Sequence, residues 1–186
     1  MPRKRTPTPE PPKQPHDRLF RWTFRRRRHA IGLLRAALPP TLAAQADFRT
    51  LRLENADWVS RALRDRRSDL VFSVRIRGKT VYFYVLVEHQ STVEALMVVR
   101  MGVYVWRLYD EMLLDAPKLT KVPVIVPLLI HHSKTGWTAQ TSFQNVVDRD
   151  AAMKDELWSY TQSFDMRVVD LHLGCGRCVS VRHAPA

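Results

Sequence analysis

Hydrophobic and polar positions alternate most regularly in the middle of the chain, on either side of a short turn. β-branched and aromatic residues fill Ser68–Arg77 and Thr80–Gln90, and Gly78-Lys79 separates the two segments. Glycine at the first central position suits a type II′ turn, which needs a positive φ there. The pattern therefore predicts a β-hairpin in which Arg77 pairs with Thr80.

This register gives the hairpin one apolar face and one mixed face, because side chains alternate along a strand. The apolar face is predicted to belong to the core and consists of Leu70, Phe72, Val74, Ile76, Val81, Phe83, Val85 and Val87. The mixed face carries Asp69 and Glu88, which this register places directly opposite each other. Gln90 follows on the same face, which also carries Tyr82 and Tyr84.

Segments with helical periodicity lie on both sides of the hairpin. One predicted helix runs from Asp17, which can cap it, to about Leu38, where Pro39-Pro40 ends it. A second, from about Val93 to Asp115, is apolar on much of its circumference, so we expect it to be buried on more than one side. The other predicted elements are a helical turn near Leu42–Ala46, a helix at Asn55–Leu63, a strand at Val122–Ile130, a helical stretch near Ala151–Trp158 and a strand at Met166–Leu173.

The composition fits one folded domain flanked by two terminal segments without regular structure. The 186 residues are 45% hydrophobic, which is enough for one core of ordinary size. Residues 1–15 hold six of the twelve prolines and no large apolar side chain after Met1, so they are predicted to form a disordered tail. The domain is predicted to span 16–173. Residues 174–186 show no assignable pattern and are predicted to be unstructured, as at a shortened C-terminus.

Positive charge is concentrated at the N-terminus. The net charge is +12, and the first 28 residues hold ten Lys and Arg against two acids. Such an excess favours a polyanionic partner, nucleic acid or an anionic membrane surface. The densest basic segment consists of Arg25, Arg26, Arg27 and Arg28. These arginines either contact phosphate or form a solvated helix face or a basic segment like those of targeting sequences.

Two further features bear on the compartment. The longest apolar segment, Val122–Ile130, has nine residues and two prolines, whereas a spanning helix needs about 20. The only cysteines, Cys175 and Cys178, cannot supply a disulfide framework. We therefore expect a cytoplasmic protein without a membrane partner.

The predicted juxtaposition of Asp69 and Glu88 has a chemical consequence. Opposed carboxylates on adjacent strands repel each other unless a cation lies between them. A hard divalent ion such as Mg²⁺ suits carboxylate oxygens. Alternatively, both acids lie in water at the strand ends and are neutralised by Arg66, Arg67 or Arg75. The spacing alone leaves both interpretations open.

An ordered set of short motifs resembles a known family. In chain order the motifs are His16-Asp17-x-x-Phe20, Leu38-Pro39, Ser68-Asp69-Leu70, Glu88-His89-Gln90-Ser91, Met97, Arg100, Tyr104, Leu129-Ile130-His131-His132 and Trp137. They resemble the recombination-promoting nucleases, also described as YhgA-like putative transposases, of the PD-(D/E)XK nuclease superfamily. The resemblance covers about residues 16–173. It implies an α/β fold with a restriction-endonuclease-like core in the order helix, β-hairpin, helix, strand.

The resemblance also implies a catalytic site. Asp69 and Glu88 correspond to the two metal-binding acids of the superfamily, and Gln90 stands where most members have lysine. Asp17 matches a position that lends a further acid in many members, but an N-cap role is an equal alternative. Arg100 matches a family position, from which it could pair with a site carboxylate, contact phosphate or extend outward from a buried helix.

The implied activity is Mg²⁺-dependent hydrolysis of DNA phosphodiester bonds by an endonuclease linked to recombination or transposition. The basic N-terminal residues would hold the duplex without sequence preference. The alternative is a truncated, catalytically inactive remnant that still binds DNA. A homodimer is left open, because nucleases of the superfamily often act as dimers.

Overall fold

The computed structural model describes residues 19, 22–55, 57–62, 69–88, 93–132, 136–148, 155–171 and 179–182. The helices are α1 (Arg27–Ala37), α2 (Pro40–Ala43), α3 (Asp57–Ala62), α4 (Met97–Asp115) and α5 (Asp155–Trp158), with a 3-10 turn at Phe143–Val146. The strands are β1 (Ala46–Leu53), β2 (Leu70–Ile76), β3 (Lys79–Glu88), β4 (Val124–His131), β5 (Arg167–Leu171) and β6 (Val179–Arg182).

These strands form one mixed sheet in which spatial order follows chain order, from β1 to β6. β1, β2 and β3 are antiparallel, β3, β4 and β5 are parallel, and β6 returns antiparallel to β5. The parallel pair β3–β4 needs a long crossover, which contains α4. The predicted α/β class is confirmed, as are the hairpin and the helix and strand that follow it. The restriction-endonuclease-like assignment of this core stays a prediction.

The hairpin turn differs from the predicted one. Ile76 pairs with Lys79, so the two central residues are Arg77 and Gly78, with φ values of 52° and 74°. Two positive φ values in succession are the mark of a type I′ turn. The predicted Gly78-Lys79 turn is therefore wrong. The sequence did not indicate the observed turn, because an arginine rarely adopts a positive φ. Each β2 residue therefore pairs with a β3 residue two positions earlier than predicted. Because side chains alternate with a period of two, the face of every hairpin residue is unchanged.

Each face of the sheet packs against a different helix. On the first, the α1 face, Leu34 and its neighbours in α1 cover the apolar side of the hairpin. On the second, the α4 face, α3 and α4 cover the mixed side. The side chains that β2 and β3 bury on the α1 face are the predicted core set, Leu70, Phe72, Val74, Ile76, Phe83, Val85 and Val87, with Val81 packed partly buried beside them.

Strand β1 was not predicted, and its irregularity explains why. Its pairing with β2 shifts register between Asp47 and Arg52. Across this irregularity Phe48 and Leu51, three residues apart, are both buried. The period of two that identifies a strand is therefore absent from the sequence.

Two predicted terminal segments also differ from the structure. The predicted helix over 17–38 is interrupted at Arg25 and Arg26, and Arg26 has an extended backbone before α1 begins. Part of the segment predicted to be unstructured, Val179–Arg182, pairs with β5 as β6.

Of the helices in the described residues, none combines the length and apolar character that a membrane span requires.

Candidate functional site

Asp69 lies immediately before β2 on the α4 face and is buried, with 3% of its surface exposed. The hydroxyl of Tyr84, on β3, donates a hydrogen bond to its Oδ2. Tyr84 is itself fully buried and packs edge-on against Tyr104 of α4, with ring centroids 5.7 Å apart. A buried carboxylate is costly unless it is bonded, so this tyrosine fixes both its position and its charge environment.

The other predicted acid, Glu88, ends β3, and its Cα pairs with that of His131 on β4. Continuing the observed β2–β3 register places position 69 beside Leu86, two residues before Glu88. The predicted direct opposition of Asp69 and Glu88 is therefore wrong, because the turn lies one residue earlier than expected. The two positions still belong to the same face and to the same end of the hairpin.

Gln90 and Asp17, the remaining predicted catalytic residues, lie outside the described residues. The strand that leads to Gln90 ends at Glu88, and Asp17 precedes α1 in the chain. Their roles therefore stay predictions from the resemblance.

The register sets Glu88 in line with two residues, His131 and Asp170, that were not predicted as site residues. Glu88, His131 and Asp170 are successive partners across β3, β4 and β5. Because these strands are parallel, the three positions lie at their carboxyl ends and on one face. Asp170 is a lone acid in the apolar strand β5, and that contrast is the sequence signal that could have identified it.

Asp170 connects this edge of the sheet to the loop after β4. Its carboxylate is buried, and Oδ2 accepts a 2.7 Å hydrogen bond from the backbone N–H of Trp137. Within the described residues, Oδ1 is buried with no hydrogen-bond partner. Gly136, with φ of 75°, fits closely here, because an added Cβ would lie 2.9 Å from Asp170 Oδ2. A glycine at position 136 therefore lets the loop backbone come close enough for the N–H of Trp137 to reach the Asp170 carboxylate.

His131, the last residue of β4, is fully buried. Its ring meets the Trp137 ring edge-on at 5.0 Å between centroids. Burial lowers the pKa of His131 below its ordinary value, the nearby Asp170 partly offsets this effect, and His132 lowers it further. The imidazole is therefore neutral at physiological pH.

Arg100 of α4 does not bond either predicted site acid in the described contacts. Its guanidinium forms an ion pair with Glu94 and donates a 3.2 Å hydrogen bond to the Tyr104 hydroxyl. Partial burial lowers the pKa of Arg100, but the bonds to Tyr104 and Glu94 raise it above its ordinary value overall. Arg100 is therefore linked to Asp69 through Tyr104 and Tyr84, whose rings pack edge-on and of which Tyr84 bonds the acid.

The four consecutive arginines are divided between packing and solvent. Arg27 donates a 2.8 Å hydrogen bond to the carbonyl of Phe48, and Arg26 lies 3.9 Å over the Trp22 ring. All four side chains remain exposed. They lie at the start of α1, the helix that covers the face of the sheet opposite Asp69.

The fit of a metal ion depends on the donor chemistry of these acids. Among the described side chains, which exclude those of Asp17, Glu88 and Gln90, no three His, Cys, Asp or Glu residues form a group that could hold a metal ion. Asp69 suits a hard cation, because a carboxylate offers about four lone-pair sites and the Tyr84 bond uses one of them. The donor set is thus compatible with Mg²⁺ if Glu88 contributes.

Comparison with known proteins agrees with the motifs. The family model for YhgA-like putative transposases matches residues 14–174. The recombination-promoting nuclease RpnA of Escherichia coli K12 is 37% identical over 118 residues, which cover 63% of this chain and 40% of RpnA. Its counterpart RpnD of Escherichia coli O157:H7 is 31% identical over 118 residues, covering 63% of this chain and 45% of RpnD.

Another relative is named as inactive. The inactive recombination-promoting nuclease-like protein RpnE of Escherichia coli K12 is 31% identical over 121 residues, covering 65% of this chain and 40% of RpnE. The matched region thus spans less than half the length of these three relatives. No solved structure matches the chain.

Proposed function

The chain belongs to the YhgA-like putative transposase family, and on this premise we propose that it is a metal-dependent endonuclease that hydrolyses DNA phosphodiester bonds in recombination. The observation that carries the proposal is the buried carboxyl group of Asp69, held by Tyr84 immediately before β2. Relatives that are named nucleases support the same activity.

Asp69 and Glu88 would hold the metal ion, with Mg²⁺ as the first candidate. Bound there, the ion would supply Lewis acidity at the scissile phosphate and a water of lowered pKa. Tyr84 keeps the Asp69 carboxylate in one orientation, which preorganises the ligand before the ion arrives. Gln90 would orient the attacking water or the phosphate through its amide, and Asp17 would add a further carboxylate.

DNA would be held by phosphate contacts of the exposed N-terminal arginines. Arg25 and Arg28 are the strongest candidates, since Arg26 and Arg27 already contact Trp22 and Phe48. Binding through such contacts falls steeply with salt, by a logarithmic slope of about 0.9 for each phosphate neutralised. Arg100 would act from its place in α4 by supporting Tyr104, because its charge is engaged by Glu94.

The test is a supercoiled-plasmid nicking assay with Mg²⁺, with EDTA, and with the variants Asp69→Asn and Glu88→Gln. The matched control is Asp148→Asn, an exposed acid outside the site. Circular dichroism and thermal unfolding of each variant would establish that it folds. We expect cleavage by the parent and the control with Mg²⁺, none with EDTA, and a loss of about a hundredfold or more for each site variant. Cleavage that persists in EDTA, or in both folded site variants, would contradict the proposal.

A second candidate function is DNA binding without cleavage. The relative named as inactive favours it, since that name indicates a similar protein without the nuclease activity. It predicts that the parent retards duplex DNA with a strong salt dependence but never nicks the plasmid. Metal-dependent nicking by the parent would exclude this second candidate.

A further inference from the structure

The side of α4 that points away from the sheet is unusually apolar for an exposed surface. Val103, Trp106, Leu113 and Leu114 are 46%, 60%, 44% and 68% exposed, and Leu96, just before the helix, is 54% exposed. Leu96, Val103, Trp106 and Leu113 follow one another at seven, three and seven residues, and Leu114 adjoins Leu113, which places them on one stripe, here called the outer face of α4. The opposite side of α4 packs into the sheet through Met101, Leu108 and other buried residues.

A helix that is apolar on two sides is normally buried on both. The 19 residues of α4 make the outer face nearly 30 Å long at about 1.5 Å per residue. Single exposed hydrophobic residues are ordinary, but several exposed apolar residues on one side of a helix, with a tryptophan among them, are typical of an interface. The outer face therefore needs an occupant from outside the described fold.

Two opposite charges lie near the centre of this face. Arg107 and Asp110 are exposed, and within the described residues neither takes part in an ion pair. By contrast, the charges on the flanks of the same helix are paired inside the chain, Arg61 with Glu111 and Arg100 with Glu94. The central charges are thus available to a partner.

We propose that the outer face of α4 is a homodimer interface, in which α4 packs antiparallel against α4 of a second copy across a two-fold axis. An antiparallel arrangement about the midpoint of Arg107 and Asp110 sets each arginine against the aspartate of the other copy. It also lays Val103 and Trp106 of one copy over Leu113 and Leu114 of the other, so that apolar groups meet apolar groups. A parallel arrangement would set like charges against each other, which is unfavourable.

The experiment is sedimentation equilibrium of the full 186-residue chain over a range of protein concentrations, without DNA or metal. We expect a reversible monomer–dimer equilibrium for the parent. Arg107→Asp and Asp110→Arg would each set like charges against each other at two symmetric points, and we expect each to weaken association roughly tenfold or more. Trp106→Glu should weaken it at least as much.

The decisive variant carries Arg107→Asp and Asp110→Arg together, which restores both cross-pairs with reversed sign. Recovery of association by this double variant would support the antiparallel contact, because a merely misfolded helix would not recover. Lys79→Asp and Asp148→Arg, exposed charges away from α4, are the matched controls and should associate like the parent. A parent that stays monomeric at every concentration, or a double variant no better than the single ones, would overturn the proposal. The measurement contains no cleavage step, so its outcome is independent of the nuclease proposal.

Discussion

The two faces of the sheet bury different chemistry. Among the described residues, the side chains that the sheet strands bury on the α1 face are aliphatic or aromatic. The α4 face buries Asp69, Ser73, His131 and Asp170 among its hydrophobic residues. Both faces belong to the same strands. The difference therefore lies in which residues alternate onto each face and in the helix side chains that pack against them.

This difference has an energetic consequence for each face. Hydrophobic burial needs no such compensation on the α1 face, whereas each buried acid on the α4 face must be compensated by a hydrogen bond or a charge. Asp69 has such a bond from Tyr84, and Asp170 has one from the backbone N–H of Trp137. Four substitutions test this contrast.

The largest effect is expected on the α1 face, from Phe72→Ala. Phe72 is 1% exposed at the centre of the apolar cluster, and truncation of such a residue costs about 3–5 kcal/mol of unfolding free energy. Urea unfolding measures the loss, with Phe72→Leu as the milder control. We expect whatever stabilisation Mg²⁺ gives the parent to survive in Phe72→Ala, because the site lies on the other face. If folded Phe72→Ala lost the stabilisation by Mg²⁺, the two faces of the sheet would not be independent, which would contradict the contrast drawn between them.

A smaller effect is expected from Gly136→Ala on the α4 face. The added methyl group would strain a backbone with φ of 75° and press against Asp170 Oδ2. We expect a loss of about 1–3 kcal/mol of unfolding free energy, from strain and a weakened bond to Trp137. Gly32→Ala is the control, since an added Cβ there meets nothing within 4 Å. Equal stability of the two alanine variants would show that the loop does not depend on the close approach to Asp170.

A still smaller effect on stability is expected from Tyr84→Phe, which keeps the ring and removes the bond to Asp69. The loss should be about 0.5–1.5 kcal/mol of unfolding free energy, the usual net contribution of one hydrogen bond. Tyr82→Phe is the matched control on the same strand and face, because the Tyr82 ring packs against Trp58 instead. If Asp69 is the proposed ligand, Tyr84→Phe should also weaken Mg²⁺-dependent nicking, while Tyr82→Phe should not. Unchanged stability and nicking in Tyr84→Phe would show that Tyr84 does not position Asp69.

The smallest effect concerns pH and His131. Its pKa is lowered in the folded protein, mainly by burial, from an ordinary value of 6.5. Below about pH 6.5 the unfolded chain therefore binds more protons than the folded one, and stability falls as pH decreases toward the folded pKa. Urea unfolding between pH 7.5 and pH 5 should show this slope in the parent, and His131→Gln should reduce it. The exposed His29 serves as the control, and an equal change of slope in His29→Gln would exclude His131 as its source.

Much of this architecture could be predicted because its pattern is local. The hairpin faces follow from alternation at Leu70–Ile76, and α4 and β4 follow from periodicity and apolar runs near their observed limits. β1 could not be predicted, since its register shift removes the period on which strand prediction depends. The hairpin turn was misplaced because nothing in the sequence marks Arg77 for a positive φ.

The candidate site shows the same division. Asp69 was identified from its motif, and its burial and its bond to Tyr84 became visible only in the fold. Asp170 carried no motif, and its relevance depends on a strand register across β4 and β5 that no local pattern encodes. The resemblance supplied Glu88, Gln90 and Asp17 as site residues, and their roles remain proposals.

The sequence by itself determined the α/β class, the two faces of the hairpin, the basic N-terminus and the family, because these depend on composition, on short periods and on ordered motifs. The tertiary structure alone decided which residues meet. It set Glu88, His131 and Asp170 in one row, moved Asp69 two residues away from direct opposition to Glu88, and left the outer face of α4 exposed. The physical reason is that strand register and helix coverage are fixed by contacts between distant segments, whose geometry depends on turns and bulges that local patterns do not specify.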